Sequence, residues 1–241
     1  GYMVKLNRGL LGAGSAVTLD FSGNRLVHLQ VDRSTLNNLA ANRQLIEADG
    51  GLVIMTAGAR NALLASVVDN TGVIEARTVE NHAGTIELLG GMRAGTAHVG
   101  GRLDASAANG GNGGQIETSA ARVQVASNAR VSTAAPQGHY GRWLIAPQNF
   151  AVAASGGDIT GATLSANLGS TAVTLLSSSG GSAGSGNVNI NDAVSWSANT
   201  LLTLTASNNV NVNASISASG ATTGLAINPN TANGAEVVSG T

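Results

Sequence analysis

Between Gly84 and Thr133 the chain reads GTIELLGGMRAGTAHVGGRLDASAANGGNGGQIETSAARVQVASNARVST. This is a run of very short alternating strands with no room for a helix. TIELL, TAHV, RLDAS, QIETSA, RVQVAS and ARVST follow one another. The separators are Gly90-Gly91, Gly100-Gly101, Asn109 to Gly114 and Ser127-Asn128. Strands of this length are not stable alone, since even an isolated hairpin is marginal in water. They must stack on copies of themselves. A meandering sandwich would have longer strands, with turns ~8–12 residues apart.

Internal repetition points the same way. GLVIMTA, GTIELLG, GGQIETSA, TAVTLLSS and LLTLTAS are variants of one strand, centred near Ile54, Ile86, Ile116, Val173 and Leu202. Spacings of roughly 30 residues are the signature of solenoids and arrays. A closer repeat follows, where Asn187-Val-Asn-Ile-Asn returns as Asn209-Val-Asn-Val-Asn. In a parallel β-helix such residues stack from coil to coil, and asparagines can run amide ladders. The expected interior includes Ile86, Leu103, Ile116, Val123 and Val131, with glycine pairs at the corners.

Composition agrees. Of 241 residues, 43% are hydrophobic but only 2% are aromatic. A narrow layered interior of Ala, Val, Leu and Ile is implied. Charged residues are 10%, against ~25% in ordinary soluble domains. A net charge of -1 with this hydrophobicity excludes a disordered chain, and no basic surplus exists to neutralise nucleic-acid phosphates. Every basic residue lies at or before Arg142, and from Phe150 onward only Asp158, Asp192 and Glu236 are charged. Two segments are therefore expected, a charged 1–147 and a Ser/Thr/Asn-rich 148–241 that continues the same fold. Cys is absent, which excludes disulfides and thiolate chemistry. No run approaches the ~18 apolar residues of a membrane helix. Gly1 reads as the middle of a strand-turn pattern, so a segment of a longer protein is expected.

Taken in order, AVTLDF (Ala16 to Phe21) and LVHLQV (Leu26 to Val31) read as strands around the turn SGNR. QLIEA and LVIMTA read as a second strand pair about Asp49-Gly50-Gly51. Three short helices are predicted. The first is capped by Asp32 or Ser34 and has Leu36 and Leu39 on one face. The second is Ala59 to Val68, with Leu63 and Val67 four apart. The third opens at Asp158 and carries Leu164 and Leu168. GRWLIAPQNFAV holds Trp143 and Phe150 and reads as a bend or packing point, with Pro147 at an edge or corner. Ser177 to Gly186 reads as a flexible loop.

Chemistry is sparse. His28, His82, His98 and His139 show no zinc-motif spacing. Trp143 beside His139 and Tyr140 suggests either a carbohydrate platform or, as the preferred reading, core packing. The GNGG within Asn109 to Gly114 lacks the repeated Asp of calcium-binding glycine repeats. Gly12-Ala13-Gly14-Ser15 precedes no helix, so phosphate cradling has no support. Asn213-Ala214-Ser215 fits an N-glycosylation acceptor. The one enzymatic constellation is acidic: Asp104, Glu117, Glu87 and Glu75 could meet across neighbouring coils, as glycoside cleavage requires. Each sits singly in an alternating strand, and solvent-facing charges are expected instead. No catalytic, cofactor or metal residue is assigned, and the ligand-binding residues remain unknown.

ADGGLVIMTAGARNALLASVVDNTGVIEART, GTIELLGG, GRLDASAANGGNGGQIETSA, GRWLIAPQNFAV, GGDITGATLSANL and NVNINDAVSWSANTLLTLTASNNVNVNASISASG together resemble the large exoproteins of bacterial two-partner secretion, the filamentous haemagglutinin-type adhesins. The resemblance covers most of the chain. It implies an all-β, right-handed parallel β-helix (solenoid) with short helical and hairpin excursions. It further implies a non-enzymatic structural or adhesive segment of a secreted surface adhesin of a Gram-negative cell. Attachment would be to host cells, matrix polysaccharide or other bacteria, as in biofilms and virulence. Export would use an outer-membrane two-partner secretion transporter. A monomer without cofactor or nucleic acid is expected. Other roles in the family are haemolysis, haem acquisition and the passive stalk of contact-dependent growth inhibition toxins. A polysaccharide-active β-helix is the remaining alternative. The family's Trp-Leu-Ile-Asp-Pro element stands here as Trp143-Leu144-Ile145-Ala146-Pro147, with Ala146 in place of the acid.

Overall fold

The computed structural model describes residues 8–13, 16–20, 28–32, 38–57, 66–178, 184–229 and 236–238. The chain opens on β1 (Arg8–Ala13), then forms the hairpin of β2 (Ala16–Asp20) and β3 (His28–Asp32). From there it runs in triplets. The first are β4 (Asn38–Asn42), β5 (Leu45–Glu47), β6 (Leu52–Ala57), and β7 (Ser66–Asn70), β8 (Val73–Glu75), β9 (Thr85–Leu89). Next come β10 (Thr96–Val99), β11 (Arg102–Asp104), β12 (Gln115–Ser119), and β13 (Arg122–Val125), β14 (Arg130–Ser132), β15 (Arg142–Ala146). Then follow β16 (Phe150–Val152), α1 (Gly161–Leu168), β17 (Ala172–Leu176), and β18 (Val188–Ile190), β19 (Val194–Trp196), β20 (Leu201–Ala206). The last are β21 (Val210–Val212), β22 (Ile216–Ala218), β23 (Gly224–Pro229) and β24 (Glu236–Val238).

The protein is thus mostly β, with parallel sheets. Each triplet sends its last strand to one eight-stranded sheet, ordered β1-β6-β9-β12-β15-β17-β20-β23. The first strands build two further sheets, β4-β7-β10-β13 and β16-β18-β21-β24, and the middle strands build β5-β8-β11-β14 and β19-β22. Among the described strands only the predicted β2–β3 hairpin pairs antiparallel; its turn, 21–27, lies outside the described residues. The second expected pair is corrected. β5 pairs with β8, and β6 with β1 and β9, so the chain turns at Gly50 from one sheet to another. The reason is that β6 buries one face in the core, β5 packs Ile46 against it, and both find parallel partners a triplet away.

The long sheet stacks its inner residues in columns. Val53, Ile86, Ile116, Trp143, Val173 and Leu202 are in register and buried. The first centre expected from the repeat, Ile54, is therefore one residue out. Ile54 pairs with Glu87 on the outer face, because side chains alternate along a strand and a one-residue slip changes the face. Ile86, Leu103, Ile116, Val123 and Val131 are all buried, as expected. Trp143 and Phe150 are also in the core. The Trp143 indole Nε1–H donates to Thr118 Oγ1 at 3.2 Å, which explains a threonine among aliphatics, since a buried indole needs an acceptor.

The corners carry the glycines and asparagines. Gly101 has φ +60°, and a Cβ there would lie 2.1 Å from the Gly72 carbonyl oxygen. The preceding corner is held by Asn70, whose Nδ2 donates to the Gly100 carbonyl at 2.8 Å while its Oδ1 accepts from Asn42 Nδ2 at 2.8 Å. The expected amide ladder is present farther along. Asn211 Nδ2 donates to Asn189 Oδ1, and Asn213 Nδ2 to Asn191 Oδ1, each at 2.7 Å.

Of the predicted helices, the third forms as α1. It begins at Gly161 rather than at Asp158, with Thr160 as its N-cap, accepting from the Thr163 amide at 3.1 Å. The other two are corrected where the structure describes them, since Asn38–Asn42 and Ser66–Asn70 are strands. Residues 33–37 and 58–65 lie outside the described residues, as does 179–183 of the expected loop. A four-residue spacing such as Leu63 to Val67 fits a strand face as well as a helix face, because four is a multiple of two. Burial in β7 alternates, with Ser66, Val68 and Asn70 inward.

The helix occupies the middle-strand position of its triplet, next to β14 and β19. Its side chains replace the missing ladder. Asn167 Oδ1 accepts from the Val131 amide at 2.7 Å, and Ser165 Oγ accepts from the Ser195 amide at 2.9 Å. Asn167 is 1% exposed. Asn167→Ala should cost about 1–3 kcal/mol, because it strands a buried amide. Asn213→Ala, on the exposed ladder, should stay within about 0.5 kcal/mol. Urea denaturation midpoints check both; equal effects would refute the strand-replacement role.

Candidate functional site

The four carboxylates singled out in the sequence do not converge. Glu87 and Glu117 are paired on β9 and β12, on the outer face of the long sheet. Glu75 and Asp104 are paired on β8 and β11, in another sheet. Each pair is set by strand register, about 4.8 Å between neighbouring strands.

In the first pair, burial and then the facing Glu117 raise the Glu87 pKa above the ordinary carboxylate value. Glu117 is held by the Ser119 hydroxyl, which donates to its Oε1. A raised carboxyl beside a hydrogen-bonded one resembles an acid–base pair in outline. The surroundings do not, because it lies on a sheet face and lines neither groove described below.

The second pair belongs to an ionic network. Arg77 reaches Asp49 at 2.8 Å and Glu75 at 3.0 Å, with Glu47 at 3.9 Å. Its pKa is raised, chiefly by the hydrogen bond to Asp49. Asp104 corrects the expectation of a solvent-facing charge, being only 1% exposed. Burial pushes its pKa up, but Arg102 and the side chain and amide of Ser106 together hold it below the usual value. The alternation placed Asp104 outward correctly; it is Arg102, two residues away on the same face, that covers it. These residues stabilise one another.

A groove of about 480 Å³ lies over the sheet of β4, β7, β10 and β13. Its floor is a rung of Asp69, His98 and Gln124, in register on adjacent strands. Leu39, 55% exposed, and Val67 give it an apolar end. Asp158 closes the other side, on the loop whose carbonyl accepts from the Val125 amide at 2.7 Å. Burial raises the Asp158 pKa against the opposing pull of the Ala151 amide and Arg122. Donors and acceptors at strand spacing beside an apolar patch suit reversible, non-covalent binding. Sequence reasoning did not find the groove, because Asp158 arrives from a loop sixty residues away from His98 in the chain.

The other candidates are dispersed. Trp143 is buried and Tyr140 is not, so the two form no platform, which corrects that alternative. Among the described residues no three His, Cys, Asp or Glu are grouped to hold a metal. The side chain of His28 lies outside the described residues. Ala146 ends β15 opposite Ser119.

Glu87 and Asp104 should give opposite pH signatures. A raised folded pKa contributes stability below the ordinary Glu range of about 4.3. That contribution is lost as pH rises through the folded value. Glu87→Gln should therefore raise Tm modestly at neutral pH, and the gain should vanish in acid. A lowered folded pKa works above the ordinary Asp range, so Asp104→Asn should lower Tm at neutral pH and less so in acid. Thermal melts across pH check both. Searches against protein families, curated proteins and solved structures return no match.

Proposed function

We propose that this chain is a right-handed parallel β-helix forming a structural and adhesive segment of a secreted bacterial surface adhesin of the filamentous haemagglutinin type. The observation that carries this reading is the triplet order. In the long sheet each triplet's last strand pairs in parallel with the last strand of the triplet before it, and the first and middle strands do the same on either side of the break at β16 and α1. That is the pairing expected when each repeat buries its apolar face only against its neighbours. The resemblance of the sequence to two-partner secretion exoproteins supports the same assignment, together with a cell-surface location and export through an outer-membrane transporter. In this reading the outer columns and the groove over β4, β7, β10 and β13 meet host-cell, bacterial-surface or polysaccharide ligands, and no residue acts in catalysis.

A passive stalk of a contact-dependent toxin is the second reading. The scarcity of charge beyond Phe150, where only Asp158, Asp192 and Glu236 occur, favours it for that portion.

The purified chain should give an elongated particle in small-angle scattering and bind cells or a glycan array. Leu39→Asp combined with His98→Ala should weaken that binding severalfold while leaving the circular dichroism unchanged. An elongated particle that binds nothing supports the stalk. A compact particle would overturn the β-helix.

A further inference from the structure

The connection between β11 and β12 carries two Asn-Gly steps, Asn109-Gly110 and Asn112-Gly113. Glycine offers no side chain to shield its amide nitrogen, so that nitrogen can attack the carboxamide carbon of the preceding asparagine. Both asparagines are exposed, and exposure alone does not distinguish them. Their constraints do. The Asn109 side chain has no hydrogen bond among the described residues. Gly110 has φ +117°, a conformation open to glycine, and a Cβ placed there would meet only Gln137 Oε1, at 3.5 Å. The Gly110 amide makes a long bond of 3.3 Å to the Ala107 carbonyl.

Asn112 is fixed from every side. Its Oδ1 accepts from the His139 amide at 2.9 Å, and its carbonyl accepts from the Thr78 hydroxyl at 2.8 Å. The next amide, of Gly113, donates to the His139 carbonyl at 2.9 Å. A Cβ on Gly113 would lie 1.9 Å from the Thr133 carbonyl oxygen. The peptide cannot turn toward its own side chain without breaking this packing.

We infer that Asn109 is a site of spontaneous backbone-assisted modification and that Asn112 is protected from it. The Gly110 nitrogen forms a bond to Asn109 Cγ, the side-chain nitrogen leaves as ammonia, and a cyclic imide results. Water then adds to one of the two imide carbonyls, opening the ring to aspartate or isoaspartate. One water is consumed, one ammonia is released, and nothing is oxidised or reduced. Either product places a new carboxylate on a loop that lines a cavity of about 440 Å³ together with Glu80, itself at φ 53°. Isoaspartate also lengthens the main chain at that turn. The charge of this face thus changes with the age of the folded molecule.

Peptide mapping by mass spectrometry with electron-transfer fragmentation tests the inference. The folded chain is held in mildly alkaline buffer and compared with the chain in concentrated urea. Acid should appear at Asn109 severalfold faster than at Asn112 in the folded chain, and the two rates should converge in urea. Asn109→Gln should abolish the product at that position with an unchanged circular dichroism spectrum. Equal or faster reaction at Asn112 in the folded chain would overturn the inference. So would an Asn109 that stays intact while the unfolded chain reacts. Asn233-Gly234, outside the described residues, is read as its own peptide.

Discussion

Everything in this protein depends on strands too short to survive alone finding parallel partners about one triplet away in the chain. β5, β8, β11 and β14 are three residues each. A strand of that length gains little from its own residues, and its backbone groups are satisfied only by the strands on either side. Register then decides which side chains are buried. Within the long sheet, a slip of one residue would turn Ile86, Ile116 and Trp143 outward together. Side-chain columns, corner glycines and corner asparagines all serve to hold that register.

Much of this was legible in the sequence because its signals are local. The alternation of TIELL and QIETS, the glycine pairs and the twice-written Asn-Val-Asn motif each state a face, a corner or a rung, and each is found so. The failures have physical causes. Leu63 and Val67 satisfy two periodicities at once. Val53 and Ile54 are both β-branched, so the inward one is settled by the neighbouring strand. Trp143, read as a packing point, is in the core, where Thr118 supplies an acceptor for its indole N–H.

The candidate sites were less legible than the fold. Carboxylates one repeat apart are brought together only if they sit in the same sheet position. Glu87 and Glu117 do, as do Glu75 and Asp104, but the two sets belong to different sheets. Counting residues between repeats finds such pairs; it does not find Asp158, which reaches the groove from an excursion of irregular length. Nor does it reveal that Arg102 covers Asp104. Side chains that reach along or across strands depend on local geometry that no period encodes.

The helix α1 has a mechanical consequence. Hydrogen bonds between stacked strands run along the stacking direction, so they bear any pull in that direction. The long sheet carries such a load past Pro147 through the β15–β17 ladder without interruption. On the side of β14 and β19 the same line of force crosses a helix attached by side-chain contacts such as those of Asn167 and Ser165. The long sheet is a continuous cable, the helix flank is a cable with a sprung link, and the ladder of first strands is likewise broken between β13 and β16. Tension would bend the molecule at this level before separating its strands, with the continuous sheet on the inside of the bend.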